Sequence, residues 1–206
     1  MNEKTSCWNH NNHYHDFLLA HVPPNAISSL DVGCGSGEFA RRLAIYCRAV
    51  DAVDPDLQAI TNGRNMSTSY SNLTFYCASL KDYSSSPSNY DFVSVIASLH
   101  HMELASTLEK LKYLLKPNGT LAILGLYKEE TISDFLWSML AVSINSIYRF
   151  TKQQTKRYSS YQMITHPPKT GLQTIRNTLN IALPNHQFRR HLFWRYSVIW
   201  HPLNKM

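Results

Sequence analysis

Long apolar runs are missing from this 206-residue chain. No stretch reaches the roughly 18 uninterrupted apolar residues that a membrane-crossing helix needs, so no spanning segment is expected. The start of the chain, Met1 to Asn12, is polar and rich in Asn and His, and no apolar signal segment stands there. A cytoplasmic location is the expectation. Cysteine is scarce. The four thiols (Cys7, Cys34, Cys47 and Cys77) lack metal-ligand spacing and suit a reducing compartment. His10, His13 and His15 lie close together, but no Cys or acidic partner spacing accompanies them, and no metal site is expected. Glycine and proline, 7 and 9 in number, are too few for a disordered chain, and no internal repeat is visible.

Acidic residues are the rarer charge. Against 20 Lys and Arg there are 14 Asp and Glu, a formal excess of +6 with His neutral. Such an excess suits nucleic acid or a membrane surface. It arises largely from scattered positions in the C-terminal third, which reads as a solvated face.

What the chain does have is a concentration of glycine. Gly33, Gly35 and Gly37 alternate within Leu30-Asp31-Val32-Gly33-Cys34-Gly35-Ser36-Gly37-Glu38-Phe39. Ile27 to Val32 reads as the end of a buried strand, and Glu38 to Tyr46 as a helix. A sharp strand-to-helix bend needs residues without a Cβ, and the freed N–H groups and positive helix end then face a ligand. The pattern is a variant of the dinucleotide fingerprint Gly-x-Gly-x-x-Gly. Asp31, two residues before the first glycine, would repel a pyrophosphate and could accept from an ammonium group. Asp54, about twenty residues beyond the loop, ends the strand Ala49 to Val53, where a carboxylate can hold two ribose hydroxyls. Asp56 reads as the N-cap of a helix from Leu57.

Leu-Asp-Val-Gly-Cys-Gly-Ser-Gly resembles the first motif of class I S-adenosylmethionine-dependent methyltransferases. Val53-Asp54-Pro55 resembles their second motif, and Leu99-His100-His101-Met102 their fourth. Leu-Leu-Lys-Pro-Asn-Gly-Thr-Leu is also similar to the family. The tail Arg-Arg-His-Leu-Phe-Trp-Arg-Tyr-Ser-Val-Ile-Trp resembles small single-domain bacterial members whose substrate is unassigned.

The resemblance implies an α/β fold: a doubly wound, Rossmann-like, seven-stranded and mostly parallel sheet, its last strand antiparallel, with a helical insert after strand five. The chain itself fits. Leu73 to Cys77 reads as strand three and Tyr90 to Ser98 as a near-continuous apolar strand covered on both faces. Helix Glu103 to Leu115 follows, and the turn Lys116-Pro117-Asn118-Gly119 launches strand five, Thr120 to Leu126. A helix over Gly171 to Leu183 precedes two strands, Gln187 to Leu192 and Arg195 to Trp200. Residues 1–206 are expected to form one domain, with 1–24 an N-terminal arm and cap helix and 128–168 an insert over the substrate cleft. Phe135, Trp137, Met139 and Tyr148 of that insert suggest an acceptor that is partly apolar.

The cofactor implied is S-adenosylmethionine, with Asp31, Gly33, Cys34, Gly35 and Gly37 at its methionine end. Asp54 and Pro55 would take the ribose, Ser79 and Leu80 the adenine, and the Ala97 carbonyl would face the amino acid. Ser79 stands where the family often has an acid. Tyr14 and His15 match a Tyr-His pair that lies near the cofactor in small members. His100 is the first choice of general base because imidazole titrates near neutrality; Tyr14, His15 and Tyr127 are alternatives, and a purely structural His100 is another. His101 is expected to point into the packing. The expected reaction is methyl transfer to O or N of a small molecule. Transfer to RNA or another nucleic acid is the alternative, although no Asn/Asp-Pro-Pro-aromatic segment follows strand four. A non-enzymatic nucleotide-binding module is the third reading.

Overall fold

The computed structural model describes residues 11–131, 167–192 and 194–202. Seven strands form one sheet: β1 Ser28–Val32, β2 Ala49–Asp54, β3 Leu73–Cys77, β4 Tyr90–Ile96, β5 Leu115–Leu126, β6 Gln187–Arg190 and β7 Arg195–Trp200. They lie in the order β3-β2-β1-β4-β5-β7-β6. β7 runs antiparallel to both its neighbours, and the β1–β5 pairs are parallel. The expected fold class is therefore present. Strand order reverses between β1 and β4, which opens a crevice at their carboxyl ends, the place where open α/β sheets take ligands.

The helices are α1 His15–Leu19, α2 Glu38–Tyr46, α3 Leu57–Met66, α4 Leu104–Leu114 and α5 Leu172–Ala182. Two apolar layers sandwich the sheet. Leu18, Phe39, Leu43 and Ile60 pack with Ala52, Phe92 and Leu124 on one face. Leu108, Leu111, Ile175 and Leu179 pack with Val32, Val93, Ile123 and Val198 on the other. β4 is buried along most of its length, as its unbroken apolar sequence requires. The Asp56 carboxylate caps α3 by accepting the N–H groups of Gln58 and Ala59 at 2.8 and 3.1 Å.

Two details depart from the sequence reading. Pro117-Asn118-Gly119 does not precede β5; it forms an irregularity inside it. Leu115 already pairs with Tyr90, and after a register shift Thr120 pairs with Phe92. Lys116 holds that irregular stretch to β4 through the Asp91 carboxylate at 2.9 Å. β6 also stops at Arg190 and not at Leu192, because the His191 N–H turns to the Arg195 carbonyl and starts the hairpin into β7.

Residues 78–89 join β3 to β4 without a helix. Asp51, in the middle of β2, secures this segment by accepting hydrogen bonds from the phenols of Tyr83 at 3.1 Å and Tyr90 at 2.7 Å. Thr74 and Tyr76 of β3 stay exposed as a result. Among the described residues no helix is long and apolar enough to cross a membrane.

Candidate active site

The loop after β1 is built as its glycines demand. Gly33, Gly35 and Gly37 have φ of 68°, 53° and 74°, left-handed values that a side chain would resist. A Cβ on Gly33 would also collide with the Ser98 side chain, and one on Gly37 with the Phe75 ring. The N–H groups of Gly33 and Cys34 both donate to the Val53 carbonyl, fastening the loop to β2. Arg41 secures its far end by donating to the Ser36 carbonyl at 2.7 Å.

Asp54 stands at the lip of the loop. One carboxylate oxygen accepts the Gly35 N–H at 2.9 Å and the other accepts the Asp56 N–H at 2.9 Å. β1 and β2 thus deliver glycine bend and carboxylate to one spot. β4 completes it from the other side. Its end is strained, with Ala97 at φ 52°, and the Ala97 N–H donates to the Leu124 carbonyl at 2.7 Å. Ser98 follows and donates to the Val32 carbonyl at 2.9 Å, locking the two loops together.

Asp31 lies beneath this floor, only 2% exposed. Its carboxylate accepts the Ser94 hydroxyl at 2.7 Å and the N–H of Ala40 in the first turn of α2. Burial, with the nearby Asp54 charge, lifts its pKa from the ordinary 3.8 to about 7. The carboxylate meets the loop from below and is not open to the crevice. Cys34 beside it is half-buried. Burial and the two carboxylates push its thiol well above its ordinary range, so it fills space and is no nucleophile.

The predicted adenine residues sit where the 78–89 segment leaves β3. Leu80 turns its side chain into the core, while the Ser79 hydroxyl donates to the Asp82 carboxylate at 2.5 Å. A carboxylate therefore stands beside Ser79 after all, three residues later than the family pattern places it. Pro55 follows Asp54 and its carbonyl faces the Cys77 thiol at 3.7 Å.

The candidate bases separate by environment. Tyr14 donates its hydroxyl to the Leu192 carbonyl at 3.1 Å and packs on the His191 ring. His15 is buried against Phe39 at 4.9 Å, and desolvation lowers its pKa to about 4. Tyr127 is 1% exposed and its oxygen accepts the Arg190 Nε–H at 2.9 Å. His100 sits in the 3-10 turn Leu99–His101 directly after Ala97 and Ser98, half-buried, its ring 3.9 Å from that of His101. His101 does not point into the packing as expected but is exposed. The three-residue period of the turn sends Leu99 into the core instead.

Comparison with known proteins agrees with this geometry. A family model described as a methyltransferase domain matches residues 30–119, from β1 into β5. An uncharacterized methyltransferase of Mycobacterium tuberculosis is 31% identical over 196 residues, covering 94% of this chain and 96% of the relative. The chain is a class I S-adenosylmethionine-dependent methyltransferase. Solved structures share the fold. The N-methyltransferase NodS from Bradyrhizobium japonicum, in complex with S-adenosyl-L-homocysteine, superposes with a TM-score of 0.64 at 15% identity, covering 93% of this chain and 86% of that one. The 1,6-didemethyltoxoflavin-N1-methyltransferase of Burkholderia thailandensis gives 0.64 at 13% identity, covering 94% and 78%.

The methyltransferase floor suits its cofactor on physical grounds. S-adenosylmethionine carries an ammonium and a sulfonium, and the loop offers a side-chain-free cradle with carboxylates below and beside it. Sequence reasoning missed Ser94 and Ser98, which set the positions of Asp31 and Gly33. Both lie more than sixty residues from their partners, and nothing local to them signals the pairing.

Proposed function

We propose that this enzyme methylates an oxygen or nitrogen of a partly apolar small molecule, with His100 as the general base where the acceptor must lose a proton. S-adenosylmethionine supplies an activated methyl group. The chain's own work is to align the acceptor with it and exclude water. Asp54 would hold the ribose hydroxyls, Ser79 with the Leu80 backbone would flank the adenine, and Gly33, Gly35, Gly37 and the Ala97 carbonyl would enclose the methionine end. Asp31 would act from beneath, as a buried negative charge under a cationic ligand. Residues 128–168, of which 132–166 lie outside the described residues, would roof the acceptor as part of a single domain.

One observation supports the assignment of the base above the others: His100 lies in the short turn that follows the strained Ala97 and Ser98 at the switch point. The remaining candidates are less suited. Tyr14 and Tyr127 have engaged oxygens, and an imidazole titrating near 4, as in His15, is a weak proton acceptor at neutral pH. Two points support the acceptor class. The Burkholderia neighbour is described with 1,6-didemethyltoxoflavin bound, and NodS is described as an N-methyltransferase. Beside His100 there is also a small cleft in which Leu99, Met102, Leu104, Leu126 and Ile175 stand beside the polar groups of Thr170 and Tyr196.

The test is a turnover screen with methyl-tritiated S-adenosylmethionine against amines, phenols and N-heterocycles, with calorimetric binding of S-adenosylhomocysteine alongside. Micromolar product binding and labelling of a small acceptor are expected. Labelling of RNA alone would refute the acceptor class. On a hydroxyl acceptor, His100→Ala should reduce kcat by about 100-fold and leave product affinity within twofold.

A further inference from the structure

β5 contains a glycine where none is needed for its own conformation. Gly125 ends the buried run Gly119–Gly125 within β5, and glycine in a strand interior costs roughly 0.5–1 kcal/mol relative to alanine. Its cross-strand partner explains it. Gly125 pairs with Tyr196 of β7, and a Cβ at 125 would collide with the ring and hydroxyl of that tyrosine. The phenol therefore lies flat over the glycine. Phe188 stacks on the same ring at 5.5 Å, nearly parallel, and the Arg176 guanidinium lies 4.4 Å from the Phe188 ring centre. The Tyr196 ring is held in one position.

Yet its hydroxyl, which keeps some solvent access in a residue only 2% exposed, makes no hydrogen bond among the described residues. A hydroxyl with little water and no protein partner gives up part of its hydration, and phenylalanine would fill the same space without that loss. The ring borders a small cleft of about 30 Å³, walled by Leu99, Met102, Leu104, Leu126 and Ile175, with His100 and Thr170 on its rim. Burial raises the phenol's pKa, so it is a neutral donor. Among the described residues no carboxylate, lysine or arginine lines the cleft.

We propose that Tyr196 is a binding residue of the acceptor pocket, where its hydroxyl grips an uncharged oxygen at the apolar end of the acceptor molecule. This rests on the acceptor reading above. A volume of this order admits a few heavy atoms, not a whole molecule, so the cleft anchors one end while His100 on its rim meets the rest. The described walls favour an uncharged end, because they hold no counter-charge.

Isopropanol is the probe. Crystals of the wild-type S-adenosylhomocysteine complex and of the Tyr196→Phe complex are soaked in it, and melting temperature and product affinity are measured on the same proteins. Expected is an isopropanol hydroxyl at about 2.7–2.8 Å from Tyr196 Oη in the wild type, with its methyls on Leu126 and Ile175, and an empty cleft in the variant. Tyr196→Phe should melt at or above the wild-type temperature and bind S-adenosylhomocysteine within twofold. An empty wild-type cleft, equal occupancy in both proteins, or a variant melting several degrees lower would overturn the proposal. Wild-type product binding tests the methyltransferase reading separately, since its failure would leave the soak result standing.

Discussion

Replacing Asp31 by asparagine should make the protein more stable and a poorer cofactor binder, with a size that depends on pH. The carboxyl is buried on every side. It faces the Ser94 hydroxyl from β4, the Ala40 N–H from α2, Cys34 in the loop and the Asp54 charge at the end of β2. Moving it from the ordinary 3.8 to about 7 corresponds to about 4 kcal/mol, as an order of magnitude. Because the folded pKa is raised, this group's stabilisation is complete below about 4 and is lost as pH climbs through about 7. Wild-type stability should therefore fall across that window. The Asp31→Asn variant keeps an oxygen for Ser94 and Ala40 but has no charge to bury, so its stability should be flat there. The new NH₂ group needs an acceptor, which offsets about 1–3 kcal/mol. At pH 8 the variant should exceed the wild type by about 1–3 kcal/mol, and at pH 5 it should be equal or weaker.

Urea unfolding at pH 5, 6, 7 and 8 measures this directly. A cationic ligand above Asp31 should also favour its ionised form. Calorimetry of S-adenosylmethionine binding near pH 6.5, in two buffers of different ionisation heat, should then register a fractional proton released on binding, absent in Asp31→Asn. Identical pH slopes for the two proteins would refute the reasoning, as would equal buffer dependence of their binding heats.

Two further outcomes follow from the loop and the adenine end. Gly33→Ala places a side chain at φ 68° against Ser98, so it should lower the melting temperature and reduce S-adenosylhomocysteine affinity at least tenfold; near-wild-type binding in a folded variant would show that the loop has room. Asp82→Ala removes the carboxylate held by Ser79, and should weaken S-adenosylhomocysteine binding several-fold while leaving affinity for the inosine analogue unchanged; equal losses for both would separate Asp82 from the adenine amino group.

The division between what could be read and what could not follows sequence distance. The glycine bend, the Asp54 position and the Asp56 cap are local devices: each needs only residues within one turn of chain, and each was legible. Local signals misled where a distant partner outweighed them. Pro117-Asn118-Gly119 is a strong turn signal, yet Leu115 finds Tyr90 before the turn can end the strand. The adjacent His100 and His101 look alike in sequence, and only the packing of Leu99 against the core decides which one stays near the crevice. Asp31 reads as a ligand-facing acid until β4 supplies Ser94 to draw it inward. Tyr14 reads as an alternative base candidate, and the hydrogen bond of its hydroxyl to Leu192, 178 residues away, has no local signal. This bias has a chemical consequence. The methionine cradle is built from neighbours along the chain and announces itself as a motif. The proposed acceptor side is built from cross-strand pairs such as Gly125 with Tyr196, which join β5 to a strand about seventy residues later. On that proposal, specificity for the acceptor resides in pairings set by sheet order, and a single sequence displays the donor's chemistry far more openly than the acceptor's.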